Sequence, residues 1–178
     1  LDPTIKNLMP NPLHLKDMEN AIDRTYESIT KNHLIGIFGD YDVDGASSTA
    51  LLSKYFIAIN QKNITLIPDR KKDGYGPSIK NFDNLIKSGA KIIFTVDCGT
   101  LSFEPIENAK KQKIDVIVLD HHQSEIKLPK AHAIVNPNRI DDSSNLNYLC
   151  ASGVTFMFLV GLNKKLRDAN WFKHNKVK

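Results

Sequence analysis

Acidic and imidazole side chains concentrate in three short stretches, Gly39-Asp40-Tyr41-Asp42-Val43-Asp44-Gly45, Asp97-Cys98-Gly99 and Asp120-His121-His122. Each follows an apolar run of strand length, at residues 34–38, 92–96 and 116–119. In open α/β sheets ligands bind in the crevice at the carboxyl ends of the strands. If the three strands are neighbours, five aspartates and two histidines line one cleft. Carboxylates about 5 Å apart repel by roughly 3 kcal/mol at an effective dielectric of about 20, so such a cluster demands cations. Carboxylates with one or two imidazoles suit manganese, or magnesium where the ligands are mostly oxygen, whereas zinc would usually bring more His or Cys. Two ions sharing an aspartate form the clamp used in phosphoryl-ester hydrolysis.

Each stretch also has a plainer reading. An aspartate after a strand often caps a turn or a helix, and an adjacent His pair is more often structural than ligating. Asp-x-Asp-x-Asp-Gly opens an EF-hand loop, but that loop needs Glu at its twelfth position, and counting from Asp40 the twelfth residue is Leu51. The preceding segment also reads as strand, not helix. The sequence contains no Gly-x-x-x-x-Gly-Lys loop, which removes P-loop nucleotide chemistry. Cys98 and Cys150 sit in no C-x-x-C pair, which argues against a zinc ribbon or a disulfide framework and for a reducing cytoplasm. Both read as small core residues. The agreement of three separate strand ends is what lifts the metal reading above these.

The elements that must position these residues alternate. Apolar residues at spacings of three and four predict helices over 15–30 (Leu15, Met18, Ile22, Tyr26, Ile29), 45–59 (Leu51, Leu52, Tyr55, Phe56, Ile59) and 152–166. Pro77 and Pro105 are read as first-turn prolines opening helices to residues 88 and 111. Further strands are expected at 64–68 and 133–135. Alternating strands and helices imply a doubly wound, mostly parallel sheet with helices on both faces, an α/β fold in three layers. The basic tail from Trp171 is read as a linker or a frayed end.

Composition adds limits. Of 178 residues, 41% are hydrophobic and 25% charged, as in an ordinary globular domain. The net charge of +4 permits a nucleic-acid partner without demanding one. Arg70, Lys71, Lys72 and Arg139, outside the cleft, are candidates for tracking a nucleic-acid backbone, with a solvated face as the alternative. No apolar run approaches the length of a membrane span, so no membrane partner is expected.

With these residues in place, the sequence resembles the DHH phosphoesterase family, and within it the RecJ-type single-stranded-DNA exonucleases. The resemblance is carried by G-D-Y-D-V-D-G at 39–45, V-D-C-G at 96–99 and L-D-H-H at 119–122. Supporting segments are N-P-L-H-L-K-D-M at 11–18, P-D-R…G-Y-G at 68–76, V-N-P-N-R at 135–139 and L-C-A-S-G-V at 149–154. The resemblance implies that Asp42 and Asp44 ligate one ion each, with Asp40 as their partner. It implies that Asp97 bridges two Mn2+ or Mg2+ ions and that His121 ligates one. His122 would face the scissile phosphate, and Asp120 would orient the imidazoles from behind.

Two departures stand out. Related phosphoesterases carry a His four residues before the aspartate matched by Asp42, where this chain has Phe38, which weakens one ligand set. The family's fourth metal-binding Asp and its C-terminal substrate-gripping domain find no match; Asp168 comes too early. The expectation is therefore an N-terminal helical segment at 1–32 packed on the core, an incomplete DHH domain at 33–166 and a linker or end at 167–178, together the core of a longer enzyme. The resemblance implies a monomeric, cytoplasmic 5′-to-3′ exonuclease on single-stranded DNA, in recombination and repair. Rival expectations are an oligoribonuclease or manganese pyrophosphatase, or a scaffold that has lost its chemistry.

Overall fold

The computed structural model describes residues 4–175 and 177, the side chains of Lys6, Lys72 and Asp73 excepted. The chain runs α1 (Ile5–Leu8), a 3-10 turn at Pro12–His14, α2 (Met18–Thr30), β1 (Ile35–Gly39), α3 (Val43–Ala58), β2 (Asn63–Leu66), α4 (Arg70–Asp73), α5 (Ile79–Lys87), β3 (Ile92–Val96), α6 (Phe103–Lys111), β4 (Asp115–Leu119), β5 (Ala133–Val135), α7 (Ala151–Asp168) and α8 (Trp171–His174). Five strands form one sheet in the order β2-β1-β3-β4-β5, and every pairing is parallel. The chain leaves β1 for β2 on one side and returns to β3 on the other, so the winding reverses between β1 and β3. Their carboxyl ends flank the crevice where such sheets bind ligands.

β1 and β3 are buried along their whole length, which is why their sequences are continuously apolar rather than alternating. Alternate side chains enter two cores. Ile35, Ile37, Ile92, Phe94 and Val96 join α2, α3 and α7 on one face, where the rings of Phe56, Phe94 and Phe158 stack with centroids 5.9 and 5.4 Å apart. Phe38, Ile93, Val116 and Val118 join α5 and α6 on the other. The three-layer architecture expected from the alternation is the one observed.

Helix starts differ from the simple periodicity reading, for reasons that lie in the caps. α3 begins at Val43, ahead of the expected residue 45, because the Asp42 carboxylate accepts from the N–H of Gly45. α5 begins at Ile79, after Ser78 takes the cap, so Pro77 precedes the helix. Pro105 is third in α6 rather than first, still among the positions whose N–H needs no helical partner. The expected linker at the end is instead docked in part: α8 packs Trp171 and Phe172 against the inner core, ring centroids 5.3 Å apart.

Arg139 also departs from expectation. It is 9% exposed, and its guanidinium donates to Asp17 (2.7 Å), to the Ile134 carbonyl (2.6 Å) and to both carboxylate oxygens of Asp141 (2.9 and 3.0 Å). Asp17 also accepts from the N–H of Ile134 at 3.1 Å, and Lys16 reaches Asp141 at 2.6 Å. All this stitches the start of α2 to β5. Arg139 thus acts as a structural clamp, with four guanidinium bonds made inside the protein rather than presented at the surface as a strand-tracking residue would need. Removing it leaves Asp17 facing a buried strand edge without its cation; because Asp141 is half-exposed, the cost sits at about 3 kcal/mol, the lower end for breaking a buried pair. Arg139→Ala should therefore lower the thermal midpoint by roughly 5–10 °C. Circular dichroism melting checks this, and a variant melting within a degree of the parent protein would show that the clamp contributes nothing.

Candidate metal centre

Three strand ends converge as the spacing predicted. Past β1, the N–H of Asp40 donates to the Val96 carbonyl at the end of β3 (3.3 Å), and the Asp40 carboxylate accepts from Tyr41 N–H (2.8 Å). Asp40 is buried, and burial, assisted by neighbouring Asp42, raises its pKa. Asp42 lies toward solvent and is held low, first by the Gly45 N–H. Gly45 fits because a Cβ there would meet the Asp40 carbonyl oxygen at 2.5 Å; the helix starts hard against the strand end.

Past β3, Asp97 takes a left-handed backbone, φ 61°, a conformation aspartate tolerates better than most residues. Its N–H donates to the Leu119 carbonyl (3.0 Å), and its side chain turns inward until the residue is 1% exposed. Neither carboxylate oxygen has a hydrogen-bond donor. Burial first, then Asp42 and Asp44, push this carboxyl up to about 8.

Past β4, Asp120 is buried and fully engaged. One oxygen accepts from the N–H groups of His121 (2.7 Å) and His122 (3.2 Å) and contacts His122 Nδ1 at 2.7 Å, while the other accepts from Thr100 N–H (3.0 Å). Burial alone would raise the Asp120 pKa, but the bonds from the His122 ring and Thr100 outweigh it and hold the group at about 2. The same bond raises His122 to about 8, so its ring is largely cationic at neutral pH, with Nε2 directed away from Asp120. His121 Nε2 lies 3.3 Å from Asp97 and 3.7 Å from Asp44.

Two donor groups result, each with its atoms within 4.8 Å of one another: Asp40, Asp42 and Asp97, and Asp97, His121 and His122. They share Asp97. The buried, donor-free carboxylate at their junction is the kind of group that is costly unless a cation meets it, and the oxygen-rich donor set with imidazole fits Mn2+ or Mg2+. Thiolates take no part: Cys98 is buried, its Sγ 3.4 Å from the Val96 carbonyl. Cys150 is exposed rather than a core residue as expected.

Asp44 falls outside both donor groups. Its two oxygens accept from the N–H groups of Ala151 (2.7 Å) and Ser152 (2.8 Å), so it closes the N-terminus of α7. Burial pushes its pKa up, but these bonds and the Ser152 hydroxyl bring it below the ordinary value. Phe38, at the position where related enzymes have His, is wholly buried and packs edge-on against Phe82, so it offers no donor.

The basic candidates divide. Arg70 and Lys71 are exposed on α4, and the Arg70 guanidinium lies 5.4 Å above the ring of Tyr41, at the rim of the cluster. The Lys72 side chain lies outside the described residues. Sequence reasoning missed Tyr75, whose hydroxyl stands 3.4 Å from His122 Nε2 with its ring set edge-on to the imidazole. The flanking Gly74 and Gly76, both at positive φ, were its signal. It also missed Thr100 and Asn136, buried beneath the two histidines.

The model of the DHH family, N-terminal domain, matches residues 34–176. The chain is 37% identical over 178 residues to the single-stranded-DNA-specific exonuclease RecJ of Salmonella typhimurium and 36% identical to that of Escherichia coli, covering 99% of this chain and 31% of each relative. It therefore spans about a third of the length of those proteins. A crystal structure of exonuclease RecJ bound to manganese superposes with a TM-score of 0.77 at 28% identity, covering 85% of this chain and 38% of that one.

The raised Asp97 pKa has a consequence for stability. An acid that holds its proton more tightly when folded contributes stability that is lost as pH rises from its ordinary 3.8 toward about 8. His122 adds a loss in the same direction as pH rises from 6.5 through about 8. With a chelator present, the protein should therefore melt lower at pH 8.5 than at pH 6, both chosen to bracket the His122 transition at about 8. Asp97→Asn should melt higher than the parent at the upper pH, by about 2–4 °C per kcal/mol recovered, yet fail to bind Mn2+. If the variant gained no stability there, the electrostatic account of Asp97 would be wrong.

Proposed function

The chain belongs to the DHH family, and from that premise we propose that it is the metal-binding core of a 5′-to-3′ exonuclease acting on single-stranded DNA in recombination and repair. The observation that carries the reading is the Asp97 carboxylate, buried without a donor where two donor groups meet. Two relatives bearing the name of that activity at 36–37% identity support it. Both cysteines are free, which supports a reducing, cytoplasmic setting; among the described residues no helix is long and apolar enough to cross a membrane.

In this reading Asp40, Asp42 and Asp97 hold one divalent cation and Asp97 with His121 holds a second, Asp44 standing beside His121. Bound Mn2+ or Mg2+ would make an attacking hydroxide available near neutral pH and take up charge on the phosphate. The remaining work belongs to side chains of this chain. Asp120 accepts from His122 Nδ1 and so orients the ring, and in the protonated imidazole this leaves Nε2–H to meet a phosphate oxygen. A cationic imidazole held in place before reaction stabilises charge that develops there without reorganising. Arg70 and Lys71, exposed at the rim, are placed to follow the strand's phosphates, a contact that should weaken steeply with salt.

The test is hydrolysis by the longer enzyme that carries this chain, with Mn2+, of 5′-labelled single strands, dinucleotides and pyrophosphate in parallel. Stepwise digestion of the long strands is expected, and is expected to be abolished in Asp97→Asn with the fold retained. Preference for dinucleotides or pyrophosphate would replace the proposal with a small-substrate phosphoesterase. Failure to bind Mn2+ at all would mark a scaffold without chemistry.

A further inference from the structure

Asn136 follows β5 directly and is 0% exposed, and its amide is fully committed, with one of its three bonds going to the loop that carries the histidines. Its Nδ2 donates to the His122 carbonyl and to the Thr100 hydroxyl, both at 2.9 Å. Its Oδ1 accepts from the Asn138 N–H at 2.8 Å, and Asn138 Nδ2 in turn donates to the His121 carbonyl. Thr100, 1% exposed, donates its own N–H to Asp120 at 3.0 Å. The backbone carbonyls of both histidines and the far oxygen of the carboxylate behind His122 are thus gripped from β5 and from the turn after β3.

The grip matters because the loop is otherwise held by isolated bonds, among them Asp120 N–H to the Val135 carbonyl (3.1 Å), His132 N–H to the Val116 carbonyl (2.9 Å) and the Ser124 hydroxyl to the Asn138 carbonyl (3.3 Å). Residues 120–132 contain neither helix nor strand, so no backbone ladder orients the two rings. Three simultaneous bonds from one planar group need two donors and an acceptor, which Asn supplies and Asp does not. An apolar side chain of the same volume would leave the His122 carbonyl without its buried donor.

Resting on the metal-dependent reading above, we propose that Asn136 and Thr100 are positioning residues that aim His121 at Asp97 and His122 at the phosphate, setting cation affinity and turnover without touching the substrate. Partners of this kind behind metal ligands change affinity or activity by about 10- to 100-fold. The variants are Asn136→Asp, which keeps shape and acceptor but removes both donors, Thr100→Val, which removes the hydroxyl, and Thr100→Ser, which restores it. Calorimetric titration with Mn2+ should show binding about 10- to 100-fold weaker in Asn136→Asp and Thr100→Val, and within about threefold of the parent in Thr100→Ser. On 5′-labelled single strands kcat should fall by a similar factor with KM unchanged.

Parent-like Mn2+ affinity and kcat in a folded Asn136→Asp or Thr100→Val variant would overturn the proposal while leaving the proposed function standing. Equal losses in Thr100→Ser and Thr100→Val would also overturn it, since the methyl-lacking variant keeps the hydroxyl. Should Asn136→Asp fail to fold, the threonine pair decides. A parent protein that binds no Mn2+ would instead strike at the proposed function itself.

Discussion

Repulsion among carboxylates that the parallel sheet forces together is the constraint on which the rest of this structure depends. Because the strands run in one direction, whatever follows β1, β3 and β4 is delivered to the same edge. Once Asp40, Asp42, Asp97 and Asp120 are there, each negative charge must find hydrogen-bond donors, a proton or a cation. Asp120 finds donors, four of them. Asp97 finds none and holds a proton up to about pH 8, a difference set by local hydrogen bonding because the two residues are equally buried.

Helix placement divides the remaining charges. Asp42 caps α3 and Asp44 closes α7, so the positive ends of the two longest helices face the cleft from neighbouring positions. Near a helix N-terminus a carboxylate is stabilised by unpaired N–H groups and by the peptide dipoles together. Asp42 and Asp44 are accordingly held below their ordinary pKa, while Asp97, which ends a strand and opens no helix, is not. The sheet supplies convergence and the helices supply tolerance.

What could be read from the sequence followed from range. The continuous apolar runs at β3, β4 and β5 identify buried strands from a handful of adjacent residues, and the three acidic stretches identify the edge. Arg139 could not be read in this way. Beside Asn-Pro-Asn it has the look of an exposed loop residue, and its burial depends on Asp17, 122 positions away. Asp44 is similar, since its attachment to α7 spans 107 positions. Trp171 and Phe172 sit in a basic stretch too short for periodicity to register, and only the packed core shows why they dock. The candidate donors sat in local motifs; the residues that hold them in place were determined by the fold.

The cleft also has a gradient that bears on how it can work. Asp40, Asp97 and Asp120 form its dry floor, whereas Asp42, His121, His122 and Tyr75 reach into solvent. Cations bound at the junction would sit over the floor, where low dielectric strengthens their attraction to the carboxylates. The incoming phosphate would meet the half-exposed imidazoles, which can adjust without disturbing the floor. Such an arrangement ties stability to occupancy: the anionic floor weakens the metal-free fold at alkaline pH, and any cation that binds the folded state alone restores it by an amount that grows with the logarithm of its concentration over its dissociation constant. The carboxylate at the junction of the two donor groups is therefore also the one that weakens the unloaded fold.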